Sequence, residues 1–166
     1  MTRIKQLLIG RNPKRTLIRS AILVVLCLVV FGFVIRPVKV RGVSMDPTLK
    51  NGSIHVVLLT TYMFKHPDRG DMVAVGMPGR RAYYVKRVLG LPGENISFRN
   101  GQLIIDGREL TETYLNEIGR WQLSSMDIPE GYYFIAGDNR RTEFSDHTLG
   151  FVSSRDIVGK LIPLMK

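Results

Sequence analysis

A serine and a lysine stand out as side chains whose surroundings could support chemistry. Ser44 lies in Gly42-Val43-Ser44-Met45-Asp46-Pro47-Thr48-Leu49, a stretch that regular structure cannot absorb. Gly42 permits close backbone approach, and Pro47 fixes φ and removes a donor. A serine in such a turn is either a nucleophile awaiting a base or an ordinary turn residue. Lys86 lies in Ala82-Tyr83-Tyr84-Val85-Lys86-Arg87-Val88-Leu89. Strand alternation puts Lys86 on the face of Tyr84 and Val88, and Arg87 on the face of Val85 and Leu89. A free lysine near 10.4 is neutral in only about one molecule in a few thousand at pH 7, too few to serve as a base. Desolvation lowers a lysine by up to about 3–5 units and brings it into the useful range, whereas a guanidinium cannot follow. Two readings of the pair remain: both cations reach outward from an edge strand, or Lys86 is held against apolar neighbours and takes a proton.

Other chemistries find little support. His55, His66 and His147 have no metal-ligand spacing, and the acidic residues are scattered, so no metal and no cofactor is expected. The one cysteine, Cys27, sits in an apolar run and can form no intrachain disulfide. The net charge of +10 is unevenly spread: residues 1–36 hold seven basic side chains and no acid, the remainder seventeen against fourteen. With the excess concentrated at one end and no recognition helix or aromatic-studded basic sheet, nucleic acid is excluded as a partner.

The elements that must position Ser44 and Lys86 follow from patterning. Ala21–Ile35 is fifteen residues without a charge, apolar on every side, which predicts a membrane anchor over 20–36 after a short basic segment, 1–19. Arg19 and Arg36 would snorkel to the two interfaces. No small-residue cleavage site follows the run, so the anchor is expected to stay, with the basic end in the cytoplasm and 37–166 outside. Beyond Pro37 the signals are those of strands: Ile54–Leu59, Met72–Gly76, Ala82–Leu89, Asn95–Arg99, Gln102–Asp106 and Tyr132–Ala136. Asn100-Gly101 predicts a type I′ hairpin inside a 96–136 insertion. Asp156–Lys160 and Glu112–Ile118 are each expected to form a turn or two of helix. The fold class is mainly β, an antiparallel domain behind one transmembrane helix.

Taken together, these residues resemble the bacterial type I signal peptidases. Ser44-Met45-Asp46-Pro47-Thr48-Leu49 is similar to their serine box, Tyr84 to Glu94 to their lysine box, and Gly137-Asp138-Asn139-Arg140 to the start of their last box. The resemblance implies a Ser–Lys dyad endopeptidase that removes signal peptides from exported preproteins and prefers small residues at the first and third positions before the cut. It implies Ser44 as nucleophile and Lys86 as base, with Gly42, Ser44 and Met45 at the oxyanion and substrate-positioning turn. Asp138, Asn139 and Arg140 would support the site. A lysine at the base position points to the bacterial cytoplasmic membrane, single-pass, with preproteins and the lipid bilayer as partners.

The last box departs from the family pattern beyond Arg140. The columns of the usual Ser, Asp and Arg hold Glu143, Ser145 and His147. A Glu143 facing Lys86 would favour the ammonium form. With a local shift, Ser145 supplies the orienting hydroxyl and Asp146 the carboxylate, the alignment adopted here. The alternatives to a general enzyme are an inactive anchored paralogue that binds preproteins or partners and a specialised peptidase maturing one pilin or secreted substrate.

Overall fold

The computed structural model describes residues 12–77, 79, 82–142 and 150–164. Glu143, Ser145, Asp146 and His147 therefore lie outside the described residues. The chain enters through helix α1 (Pro13–Val29), which continues as one π-helical turn, Val30–Val34. Proline suits the first helical turn, where its missing N–H has no partner to lose. The span Lys14–Val34 has 21 residues, none of them buried. At about 1.5 Å per residue it reaches roughly the 30 Å of a hydrocarbon core, so it is long and apolar enough to cross a membrane. Its side chains, including Leu23, Val25 and Leu28, are exposed all round.

The helix begins before residue 20 and ends before Arg36. Ile35 and Arg36 already belong to β1 (Ile35–Lys39). Arg36 stands opposite Val57 of β2 (Ile54–Leu58), and its guanidinium contacts the hydroxyl of Tyr83. Pro37 is accommodated because β1 pairs on one side only.

The remaining strands are β3 (Met72–Gly76), β4 (Tyr83–Gly90), β5 (Asn95–Arg99), β6 (Gln102–Ile105), β7 (Arg108–Leu110), β8 (Leu123–Asp127), β9 (Tyr132–Ala136), β10 (Phe151–Ser153) and β11 (Ile157–Ile162). A seven-stranded sheet has the order β1-β2-β11-β3-β4-β9-β10, and a four-stranded sheet the order β7-β6-β5-β8. The recorded pairings are antiparallel throughout, from β1 with β2 to β6 with β7. The fold is mainly antiparallel β behind one amino-terminal apolar helix, as expected. Strands β3, β5 and β9 have the predicted bounds. At the hairpin, Asn100 and Gly101 have φ of 50° and 82°, the two positive values a type I′ turn requires. Of residues 156–160 only Asp156 is helical, closing a short 3-10 turn, Ser154–Asp156; residues 157–160 belong to β11, whose alternating burial shows a strand period. Glu112–Ile118 likewise contains no helix.

Three apolar clusters hold these elements. Leu89, Phe134 and Ala136 of the large sheet pack on Ile96, Phe98, Leu103 and Trp121, which fastens the small sheet to the β4–β9 end. Val73, Val75, Val88 and Ile135 form a second cluster, and Met45, Leu49, Val57, Ala74 and Leu161 a third. Strand β4 contributes to all three, through Leu89, Val88 and Val85. The carboxyl-terminal part of β4, from Lys86 to Gly90, is accordingly buried.

Candidate active site

Ser44 sits in a run of turns beginning at Gly42, whose φ of 93° is the left-handed conformation that side chains disfavour. The Gly42 N–H donates to Asn51 Oδ1 at 3.1 Å and is thereby occupied. Met45 and Leu49 are 2% and 1% exposed and press the turn onto the third cluster. The Met45 side chain thus belongs to the core. Asp46 N–H donates to Val43 O and Leu49 N–H to Met45 O, closing the turn from within. Among the described residues the Ser44 N–H makes no hydrogen bond, which leaves a donor beside the hydroxyl. Ser44 as a whole is half-buried.

Lys86 is 5% exposed. It faces Val73 across the β3–β4 ladder and shares its face with Tyr84 and Val88. Burial drives its ammonium pKa down from the ordinary value, while the Asp138 charge opposes that fall. Among the described residues no hydrogen bond or ion pair engages its Nζ, and none within 3.5 Å joins it to Ser44 Oγ. The outward-reaching alternative is thus set aside for Lys86. Arg87 is also buried, at 7% exposure. Its Nε and Nη2 donate to Asp138 Oδ1 and Oδ2 at 2.8 and 2.6 Å, and Nη1 donates to Gly70 O at 2.7 Å. Burial alone would lower the Arg87 pKa, yet the Asp138 carboxylate raises it, so the guanidinium stays charged.

The loop after β9 draws the two halves together. Asn139 N–H donates to Ser44 O at 3.0 Å, and Asn139 Nδ2 donates to Val43 O at 3.1 Å. Thr48 Oγ1 donates to Asp138 Oδ2 at 2.5 Å. Since Asp138 also holds Arg87, one loop binds both the Ser44 turn and the strand of Lys86. Arg140, 2% exposed, turns the other way: Nε donates to Gly137 O at 3.0 Å, and Nη1 and Nη2 donate to Glu112 at 2.9 and 2.5 Å. Asp46, Pro47, Glu117, Asp138 and Arg141 line a cavity of about 90 Å³ at this junction.

Strand pairing leaves one further feature. Tyr83 to Lys86 pair with β3 on one side, but β9 first pairs at Arg87. Among the described residues that second edge is open just where Lys86 sits. Arg36 of β1 reaches Tyr83 at the start of this edge, with its guanidinium carbon 5.8 Å from the ring centre. Sequence reasoning missed Arg36, Thr48, Glu112 and Tyr114 as partners of the site; only Thr48 lay inside a recognised motif.

The family described as signal peptidase, peptidase S26, matches residues 14–165. Signal peptidase I of Bacillus licheniformis is 34% identical over 149 residues, 83% of this chain and 80% of its own. Signal peptidase IB of Staphylococcus aureus strain COL is 31% identical over 163 residues, 87% of this chain and 85% of its own. The crystal structure of a signal peptidase I from Enterococcus faecalis V583 is 34% identical and covers 59% of this chain and 98% of its own, with a TM-score of 0.49. This chain belongs to the peptidase S26 family of signal peptidases. It is a membrane-anchored serine endopeptidase.

Proposed function

We propose that the protein removes amino-terminal signal peptides from exported preproteins, with Ser44 as nucleophile and neutral Lys86 as general base. Lys86 accepts the Ser44 proton as Oγ attacks the scissile carbonyl. The lysine then protonates the leaving amine, and water resolves the acyl-enzyme by the reverse proton path. The N–H of Ser44, without a partner among the described residues, serves as oxyanion donor, an interaction typically worth about 3–4 kcal/mol in the transition state. Asp138 and Asn139 position the two reacting residues, and Arg140 anchors their loop. The observation that carries this reading is the shared loop: Asn139 binds the Ser44 carbonyl while Asp138 binds Arg87, the neighbour of Lys86.

An extended substrate pairs with the open edge at Tyr83 to Lys86, by strand addition. Alternate side chains of a bound strand point the same way, so the first and third residues before the cut face the enzyme together. Small side chains such as alanine at those two positions are the preference proposed here. The anchor keeps the site at the bacterial cytoplasmic membrane, with the basic end in the cytoplasm and the β domain outside.

The test uses the full chain in detergent with lipid and a preprotein ending its signal in Ala-x-Ala. Sequencing the product's new amino terminus should place the cut directly after the second alanine. Replacing that alanine by phenylalanine should abolish cleavage. Cutting at scattered sites, or indifference to that replacement, would defeat the proposal.

A further inference from the structure

Arg87 and Lys86 are adjacent on β4, point to opposite faces and are both buried. One carboxylate serves both. Asp138 binds Arg87 through two hydrogen bonds, and its charge also acts on Lys86. A carboxylate neutralised by a guanidinium favours the Lys86 ammonium less than a bare one would. Whatever keeps Arg87 on Asp138 therefore governs the lysine.

The Arg87 guanidinium is covered by a ring. Its carbon lies 3.8 Å from the centre of Tyr114, a stacking distance that suits a desolvated cation. Tyr114 comes from the connection between β7 and β8, with no local tie to β4. Its hydroxyl donates to Glu112 Oε1, and Glu112 is held in turn by both terminal nitrogens of Arg140. Glu112 and Arg140 side chains are 5% and 0% exposed. The Arg140 guanidinium carbon lies 4.8 Å from the Trp121 ring centre, so the small sheet's arm fixes this chain of contacts at its far end.

We infer that Tyr114, through its ring, is a positioning residue for the Ser44 and Lys86 chemistry, acting by keeping the Arg87 guanidinium on Asp138. The inference rests on the proposed role of Lys86 as base. Among the described residues, the charged groups around the pair are Asp138 from the loop after β9, Glu112 from the arm and Arg140. β3 presents Val73 to Lys86, and the phenols of Tyr62, Tyr84 and Tyr133 belong to the cluster on that face. Releasing Arg87 removes a neighbouring cation and exposes the Asp138 charge. Both changes favour the ammonium.

The experiment compares wild type, Tyr114→Phe and Tyr114→Leu as full chains in detergent. Competitive acetylation of Lys86 across pH, read by peptide mass spectrometry, gives its titration midpoint without requiring turnover. The acid limb of kcat/KM gives the same quantity from cleavage. Tyr114→Leu should raise both midpoints by about half to one pH unit and lower kcat/KM at pH 7 roughly three- to tenfold. Tyr114→Phe keeps the ring over Arg87 and should stay within about twofold of wild type. If Tyr114→Leu does not fold, Tyr114→Met fills the gap more flexibly and carries the same expectation. A Lys86 midpoint unmoved in the folded non-aromatic variant overturns the inference, whatever happens to activity. A wild type that cleaves nothing would end the protease reading and leave the labelling result to decide this one.

Discussion

The main-chain N–H of Asn139 donates to the carbonyl oxygen of Ser44 at 3.0 Å. Residues 95 positions apart are thus joined through backbone, a bond that no substitution short of proline at 139 deletes outright. The Asn139 side chain adds a second bond, to Val43 O at 3.1 Å. Asn139→Ala should keep the first and lose the second. A neutral hydrogen bond is worth about 1 kcal/mol, so kcat/KM should fall roughly five- to tenfold with the fold intact. Steady-state kinetics beside circular dichroism checks this.

Lys86 makes activity and stability depend on pH in the same sense between its folded and unfolded values. The neutral amine is the active form, so kcat/KM should rise with pH along an acid limb centred below the ordinary lysine value of 10.5. Asp138 holds that limb up, and Asp138→Asn should move it to lower pH while leaving Arg87 buried without a counter-charge. The stability sign follows from proton counting. Between the folded and unfolded Lys86 values the unfolded chain binds more protons, so stability rises with pH across that window. Lys86→Met should abolish cleavage, raise the urea midpoint at pH 7 and flatten this rise.

Two ion pairs give contrasting stability tests. Arg140 and Glu112 are buried, and Glu112→Gln leaves a guanidinium unpaired away from water. Breaking such a pair from one side costs about 3–5 kcal/mol. Arg141 and Glu117 pair on the surface, at 72% and 56% side-chain exposure. Glu117→Gln should leave the melting temperature unchanged. Chemical denaturation of the two variants separates the cases.

Gly119 has φ of 71°, and a Cβ placed there would come within 2.2 Å of the Arg140 carbonyl oxygen. The neighbour is backbone of the last box and cannot rotate away. Gly119→Ala should therefore displace the Asp138–Asn139 loop and lower kcat/KM more than Gly42→Ala, where the position is strained but open. Parallel kinetics of the two alanine variants tests the order.

The sequence made the regular parts of this fold legible where local chemistry decides them. Asn100-Gly101 needs positive φ twice, and only such residues supply it cheaply, so the hairpin was readable. Strands β3, β5 and β9 carry β-branched and aromatic residues between turn signals. β1 was hidden because Arg36-Pro37 reads as a break, and only its place at the sheet edge reconciles proline with pairing. β11 was hidden by Gly159, which looks like punctuation; its Cβ would lie 2.3 Å from Leu58 O, so the glycine marks close strand approach. Ser44 and Lys86 are proposed on their motifs. Tyr114 was not legible, because it lies in the β7–β8 connection, its partner Arg87 lies on β4 of the large sheet, and no spacing in the chain links them.

The central claim is that Ser44 and Lys86 together cut the peptide bond. Full chains of wild type, Ser44→Ala and Lys86→Ala, incubated in detergent with a preprotein ending its signal in Ala-x-Ala, test it most directly. Wild type should give mature product, and each variant should lose at least about 10³-fold, since nucleophile and base act as a unit. Product from either variant at a rate near that of wild type would contradict it.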